Sequence, residues 1–362
     1  MDFLNSIFQK TLVGLDIGVS GIKAVELGFG KKTSLISYNR ISLPWDSVTP
    51  EGTIKDDAAV VSALKKLFSA KSFSTRDVSV GLFGNSVLTK PISMPTMSRK
   101  DMEEQIYWEA EQYIPFNVEE CSIDFAVVGN TVQKVVAGAE SSVEVLLVAV
   151  KNDYIQSFTS VIERAGLRPT IIDYQAFALG NSFEFNYSRE LAELNPGETD
   201  LIVDFGAGST KLSFVSKENT VFTTKVPACG SGYSQLISER LGESFEQGEV
   251  LKLAEPESPL VSPIIQDYNA YLASEIQKNT DVYFSQSGDR SLRKIFYCGG
   301  ASKTPGLISL LSERYPEQVE NLDPLKNLFV NRTKSNQRML DDFSCLGTVA
   351  LGLALRKSGD GK

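Results

Sequence analysis

The chain has 362 residues, 42% of them hydrophobic and 22% charged, which favours a globular protein of two domains or one bilobed body. Its net charge is −9 at pH 7, and because general nucleic-acid binding needs a basic footprint, we expect no nucleic-acid partner. The lack of histidine excludes a histidine general base and Ser–His or Cys–His nucleophile pairs, and the four scattered cysteines are expected to be reduced structural thiols.

The N-terminal part of the chain has the pattern of strands followed by a helix. A short amphipathic turn at residues 3–8 lacks the basic face of a membrane anchor, and we expect it to pack on its own domain. Apolar runs separated by turn residues predict three strands. The apolar spacing of residues 56–70 then predicts an amphipathic helix.

After the next predicted strand, the sequence pattern changes from strand-like to helical. SMPTMSRKDMEEQIYWEAEQYIPF (93–116) predicts a helix with Ser98 as its N-cap and Asp101 as the capping partner, ending at Pro115. Two strand patterns, a helix pattern and a further strand follow. Because this group interrupts strand-rich sequence, we predict an inserted α/β unit at residues 87–165.

The second half opens with a predicted helix, QAFALGNSFEF, and continues with another strand-rich stretch. Residues 231–290 have mostly helical patterns, and RKIFYCGGASKTPGLISLLSERY predicts a strand, a glycine-rich turn and a helix. GTVALGLALRK predicts a last helix with basic residues near its end, where they suit the helix dipole.

One phrase occurs twice, as GLDIGVSGIKAVEL (14–27) and as VDFGAGSTKLSFV (203–215). In both copies a glycine follows an aspartate by two positions and a lysine follows it by seven; the matched residues are Asp16 and Asp204, Gly18 and Gly206, and Lys23 and Lys211. Glycine-rich turns let a ligand approach the backbone, whose N–H groups bind anions. An aspartate beside them suits a phosphate only if a divalent cation lies between the two. Two facing turns would clamp a polyphosphate, whereas a single D-x-G is commonly just a hairpin turn.

These segments resemble the actin-like ATPase superfamily. The sequence has no P-loop and no Rossmann fingerprint. LDIGVSGIK and DFGAGSTK resemble the two phosphate loops of the superfamily, and CGGASKTPGL resembles its adenosine loop. The resemblance implies an α/β fold of two RNase H-like lobes around a nucleotide cleft, with ATP or ADP and Mg²⁺ as cofactors.

The same resemblance implies roles for particular residues. Asp16 and Asp204 would hold magnesium through water, Lys23 would reach the phosphates, and Gln175 would position the attacking water. Further nucleotide contacts are implied for Gly18, Ser20, Gly21, Gly206, Gly208, Ser209, Thr210, Gly230, Glu249, Lys252, Gly299, Gly300 and Ser302. For Glu249 and Lys252, an i,i+3 surface ion pair is an equal alternative. An amide at position 175, where relatives often have Glu, cannot act as a general base, which implies slow ATPase activity at most.

The insertion resembles that of the type IV pilus assembly family PilM. The helix ending in EAEQYIPF, the acidic strand EECSIDF and the stretch at 146–179 fit that family's pattern, and the resemblance covers essentially the whole chain. It implies an ATP-binding adaptor that grips the N-terminal cytoplasmic tail of PilN in the groove between the first lobe and the insertion. EAEQYIPF would lie near that groove, although Met102, Ile106 and Trp108 could instead be buried packing residues. Pilus motor ATPases, the platform protein PilC and a second copy of the chain are further implied partners.

The implied architecture is FtsA/PilM-like, with an inserted subdomain in the first lobe. The first lobe would comprise residues 1–86, 166–197 and 341–362, with the inserted subdomain 1C at 87–165. The second lobe would comprise residues 198–230 and 291–340, with subdomain 2B at 231–290.

Three alternatives stay open from the sequence. They are an FtsA-like filament-forming division ATPase, a small-molecule kinase of the same superfamily, and the cytoplasmic domain of a type II secretion protein. The sequence has neither the C-terminal amphipathic anchor usual for FtsA nor the membrane span of the secretion protein, and no signal peptide pattern. We expect a cytoplasmic protein, peripheral to the inner face of the bacterial inner membrane and joined to it through a partner.

Overall fold

The computed structural model describes residues 11–69, 73–127, 142–217, 219–288, 290–331, 336–357 and 359. The turn predicted at residues 3–8 lies outside these ranges. Within them, the strands form three sheets, and the helices pack on and between those sheets.

Two five-stranded sheets have the same topology. The strands of the first sheet are β1 Val13–Gly18, β2 Gly21–Gly28, β3 Ser34–Ser42, β4 Asp77–Leu82 and β8 Arg168–Tyr174. Those of the second are β9 Glu198–Phe205, β10 Thr210–Ser216, β11 Asn219–Val226, β12 Ser291–Cys298 and β13 Gln318–Asn321. The strand orders are β3-β2-β1-β4-β8 and β11-β10-β9-β12-β13, each with three antiparallel strands followed by two parallel ones. The repeated phrase forms β1–β2 in one lobe and β9–β10 in the other, so that each lobe is built on one copy.

The remaining strands form a third, antiparallel sheet in the order β5-β7-β6. They are β5 Val87–Pro95, β6 Cys121–Val127 and β7 Ser142–Lys151. The helices are α1 Asp57–Ser69, α2 Arg99–Ala110, α3 Asn152–Arg164, α4 Gln175–Ala192, α5 Gly230–Leu241, α6 Phe245–Ala254, α7 Ser262–Gln286, α8 Leu307–Arg314, α9 Gln337–Leu346 and α10 Thr348–Ala354. Among the helices of the described ranges, none has both the length and the apolar character needed to cross a bilayer.

Helix α2 packs its apolar face on the third sheet. Its start is as predicted, because the Ser98 hydroxyl accepts a hydrogen bond from the Asp101 amide and caps the first turn. Met102 and Ile106 are buried in this core, whereas Trp108 is 69% exposed, so the expectation that it could be core is wrong. The helix also ends at Ala110 rather than at Pro115, because hydrogen-bonded turns replace regular helix over the residues before the proline.

Helix α3 packs with the first lobe, although the sequence groups it with the insertion. Its buried side chains Tyr154, Phe158, Val161 and Ile162 belong to the core beneath the first sheet. The core of the third sheet is a separate cluster formed mainly by α2, β5 and β7. The domain boundaries remain predictions, and this packing attaches α3 firmly to the first lobe.

Two helices in close contact separate the two large sheets. Helix α10 is buried along its whole length, as an apolar helix between two layers must be. A Cβ on Gly352 would lie 1.7 Å from the Ala178 carbonyl oxygen of α4, and one on Gly14 would lie 2.0 Å from the Ala350 oxygen. Helix α4 meets the second sheet through Phe183. The absence of side chains at Gly14 and Gly352 therefore sets the spacing between β1, α10 and α4.

We predict that Gly352→Ala lowers the free energy of unfolding by about 3 kcal/mol, at the upper end of overpacking effects, because the new methyl group meets backbone rather than a movable side chain. Denaturant unfolding measures this change. Gly30→Ala is the matched control, because the nearest atom to its new Cβ is 3.9 Å away, and it should change stability by less than about 0.5 kcal/mol. Equal effects of the two substitutions would contradict the proposed close contact.

Candidate functional site

A cleft of about 840 Å³ opens where the two copies of the repeated phrase face each other, within the size range of small-molecule sites. Most of the residues predicted for the site line this cleft: Asp16, Gly18, Ser20, Lys23, Gln175, Asp204, Gly206, Gly208, Ser209, Gly230, Glu249, Lys252, Gly299 and Gly300. The fold therefore brings together segments that are far apart in the sequence.

Asp16 stands at the end of β1 with a partner on each carboxylate oxygen. The ammonium of Lys23 donates to Oδ2 at 3.1 Å, and the Gln175 amide donates to Oδ1 at 2.9 Å. Lys23 lies directly opposite Asp16 in the β1–β2 register, which explains the spacing of seven positions in the sequence. Asp16 and Gln175 are both buried, 5% and 3% exposed, so Gln175 holds this carboxylate in place.

Asp204 occupies the equivalent position at the end of β9. Lys211 lies opposite it in the β9–β10 register and donates to Oδ2 at 2.9 Å. The thiol of Cys298 donates to Oδ1 at 3.9 Å, and burial raises the pKa of that thiol well above its usual value. Gly299 has a φ of +90°, and a Cβ there would lie 2.5 Å from Asp204 Oδ1, so only glycine lets this turn close onto the carboxylate.

Three predicted residues do not line the cleft. Thr210 is fully buried, and its hydroxyl donates to the Ala228 carbonyl oxygen at 2.7 Å. The Ser302 hydroxyl donates to the Gly299 carbonyl oxygen at 2.7 Å and thereby closes its own turn. Gly21 is paired within the β1–β2 hairpin. Each of these residues is therefore bonded or paired within the chain, although the resemblance assigns it to the ligand.

Some backbone amides of the second turn are also engaged. The Gly206 amide donates to the Asp204 carbonyl oxygen at 3.0 Å, and the Gly230 amide donates to the Gly206 carbonyl oxygen at 2.9 Å. The Ser231 amide donates to the Ala207 carbonyl oxygen, also at 2.9 Å. These bonds fix the start of α5 against the turn that follows β9.

Glu249 and Lys252 form the i,i+3 ion pair that was one of the two alternatives, but they form it in the cleft wall. The Lys252 ammonium contacts Glu249 Oε2 at 2.5 Å and the Gly230 carbonyl oxygen at 3.1 Å. The Ser234 hydroxyl also donates to the Glu249 carboxylate. The pair thus joins α6 to the start of α5.

Several lining residues were not predicted from the sequence, and three of them carry side chains of particular interest: Lys211, Trp45 and Phe245. Trp45 follows β3 in the first lobe and Phe245 begins α6, and their rings stack across the cleft rim with centroids 3.7 Å apart at 20°. Because these two residues are far apart in the sequence, no local sequence pattern predicts their contact. Lys211 did carry a signal, because it matches Lys23 in the repeated phrase.

The charges along the cleft are balanced. The acidic lining residues are Asp16, Asp204, Glu246, Glu249 and Asp342, and the basic ones are Lys23, Arg40, Lys211, Lys252 and Lys303. Four of the basic residues form ion pairs with acids of the same lining. Within the described ranges, no group of three or more Asp, Glu, Cys or His side chains is placed to hold a metal ion.

The comparisons with known proteins cover nearly the whole chain. The family model of the type IV pilus assembly protein PilM matches residues 14–358. A chain in the solved structure of a PilM–PilN type IV pilus biogenesis complex is similar at 26% identity and a TM-score of 0.84, over 96% of this chain and 98% of that one.

Two further proteins are similar to this chain, one in sequence and one in fold. The cell division protein FtsA of Bacillus subtilis (strain 168) is 26% identical over 265 residues, which are 67% of this chain and 58% of that protein. The ethanolamine utilization protein EutJ from Carboxydothermus hydrogenoformans has a TM-score of 0.55 at 14% identity, over 96% of this chain and 89% of that one, which shows a shared fold alone.

The family model spans nearly the full length of the chain, and the matched structures share its bilobed actin-like ATPase fold, which confirms the fold predicted from the repeated phrase. The chain belongs to the family of the type IV pilus assembly protein PilM.

Proposed function

We propose that the chain is an ATP-binding adaptor of the type IV pilus assembly machinery, which binds the N-terminal cytoplasmic tail of PilN. The observation that carries this proposal is the likeness over 96% of the chain to a protein solved in a PilM–PilN complex. Binding PilN would hold the protein at the cytoplasmic face of the inner membrane. Pilus motor ATPases and the platform protein PilC are the further partners that this role would bring into contact.

The cleft supports the nucleotide part of the proposal. It presents two carboxylates at the ends of facing strands, each beside a lysine, and glycine-rich turns that leave the backbone accessible. Mg²⁺ usually keeps several waters and binds through one or two carboxylates together with substrate phosphates. Asp16 and Asp204 offer that donor set. Mg²⁺ would neutralise phosphate charge there, while the chain's own residues orient the nucleotide.

The environment of Gln175 supports a binding role over rapid hydrolysis. Its Nε2 donates to Asp16 Oδ1 at 2.9 Å and lies 3.4 Å from the Ile17 carbonyl oxygen, so the side chain is held within the first lobe. An amide can position a water but cannot accept its proton. We therefore propose slow turnover at most.

The solvent face of α2 supports the partner part of the proposal. Trp108 and Tyr107 are 69% and 39% exposed on this face, among the acidic side chains of Glu103, Glu104 and Glu111. Tryptophan and tyrosine are enriched on surfaces where partners bind. This helix includes part of the EAEQYIPF stretch that the resemblance places near the PilN tail.

We predict that Asp16→Ala and Asp204→Ala each weaken Mg–ATP binding by about tenfold or more, because each removes a carboxylate that would hold the hydrated cation. Isothermal titration calorimetry measures the affinity. Asp267→Ala is the control, because Asp267 pairs with Arg240 on the surface of the second lobe. Unchanged ATP affinity in both cleft variants would contradict the site assignment.

We predict that Trp108→Ala weakens binding of a labelled peptide from the PilN N-terminus by about tenfold, the scale of an interface hot spot. Fluorescence anisotropy measures this binding. Tyr271→Ala is the matched control, because Tyr271 is an aromatic residue 47% exposed on α7 of the second lobe. Failure of the wild-type chain to bind the peptide, with or without nucleotide, would contradict the adaptor role and favour the FtsA-like alternative.

We predict that Gln175→Glu lowers the free energy of unfolding by about 1–3 kcal/mol, because it replaces a buried donor to Asp16 by a second carboxyl group. ATP hydrolysis should not increase. Thermal unfolding and phosphate release measure the two effects. Faster hydrolysis at unchanged stability would show that the position accepts a general base.

A further inference from the structure

The pair formed by Asp204 and Lys211 repeats the pair formed by Asp16 and Lys23. Each lysine is the cross-strand partner of its aspartate, and the ammonium–carboxylate distances are 2.9 Å and 3.1 Å. The four side chains are similarly enclosed, with exposures between 8% and 16%. The two lobes therefore present the same charged pair to the same cleft.

The Lys211 ammonium lies at the glycine turn that follows β9. A Cβ built on Gly206 would be 3.8 Å from Lys211 Nζ, and one built on Gly18 would be 3.3 Å from Lys23 Nζ. Each ammonium thus lies beside the first glycine of its own turn. Because such turns bring phosphate oxygens close to the backbone, a cation in this position faces the ligand as well as its aspartate.

Lys211 lines the same cleft as residues of the opposite lobe. Asp16 and Lys23 belong to the first lobe and Lys211 to the second, and all three line the cleft between them. Lys211 therefore lies at the gap between the lobes.

We propose that Lys211 is a second phosphate-contacting cation, so that a polyphosphate in the cleft is held between one ammonium group from each lobe. This inference rests on the proposed nucleotide binding and extends it to a residue outside the set implied by the resemblance. The competing explanation is that Lys211 only neutralises the buried Asp204. The two explanations differ in the affinity that is lost with the lysine when Asp204 is also neutral, because only a direct contact then still favours ATP over adenosine.

The test compares ATP, ADP and adenosine binding to the wild-type chain and to Lys211→Met, which keeps most of the side-chain length without its charge. Calorimetry gives the affinities. In a Trp108→Phe background, Trp45 is the one remaining tryptophan of the two in the chain, and its emission at the cleft rim gives an independent signal. We expect Lys211→Met to weaken ATP binding by about tenfold to a hundredfold while adenosine affinity stays the same.

Two variants separate this result from a general loss of structure. Lys294→Met removes a lysine that pairs with Glu320 in the same sheet outside the cleft lining, and it should leave all three affinities unchanged. Lys211→Arg keeps the charge and should retain more ATP affinity than Lys211→Met. The double variant Asp204→Asn/Lys211→Met leaves no buried carboxylate unpaired, and its comparison with Asp204→Asn alone gives the effect of the lysine without the charge of Asp204. If Lys211→Met is too unstable to measure, this comparison and Lys211→Arg carry the test.

The outcomes are distinct. Wild-type ATP affinity in Lys211→Met, or an equal loss for ATP and adenosine, would overturn the phosphate contact while nucleotide binding stands. Failure of the wild-type chain to bind ATP at all would overturn the proposed function and this inference together. A loss that grows from adenosine to ADP to ATP, and that persists when Asp204→Asn/Lys211→Met is compared with Asp204→Asn, supports the second cation. A loss that disappears in that comparison would show that Lys211 only neutralises Asp204.

Discussion

Each lobe buries an aspartate at the end of its first strand, and a buried carboxylate must be compensated by charge and hydrogen bonds. The hairpin register supplies the charge, because the residue seven positions later lies directly across the ladder and is a lysine in both lobes. The surroundings follow from this need. Gln175 of α4 satisfies the second oxygen of Asp16, and Gly299 has no side chain, which lets its turn reach Asp204. The cleft is the gap between two such compensated carboxylates.

The third sheet takes no part in compensating the two buried aspartates and has a core of its own. Helix α2 buries Met102 and Ile106 against that sheet, and its other face carries Trp108 among acidic side chains. Aromatic side chains exposed among polar ones are enriched at sites where partners bind. The cleft lies between the two large sheets, whereas this surface lies on the helix that packs on the third sheet. The two parts of the proposed function therefore lie on different units of the chain.

The repeated phrase was sufficient to predict the two lobes and most of the cleft lining, because residue spacing along a hairpin determines which side chains face each other. The same spacing places Lys211 opposite Asp204, although the resemblance implied no role for Lys211. Other features depend on packing between distant segments and could not be predicted. Trp45 meets Phe245 only after both lobes are assembled. The resemblance implied that Thr210 contacts the nucleotide, but its hydroxyl is buried and donates a hydrogen bond to the Ala228 carbonyl oxygen.

The contacts near β4 connect helix α3 to the gap between the lobes. The Tyr154 hydroxyl of α3 donates to the carbonyl oxygen of Phe83, a residue that lines the cleft, at 2.5 Å. Two residues further along, the Asn85 side chain accepts from Lys225 of the second lobe. Lys225 at this edge and the Trp45–Phe245 stack at the rim therefore bridge the two lobes. Because α3 directly follows β7, the contact at Phe83 lies close along the chain to the third sheet.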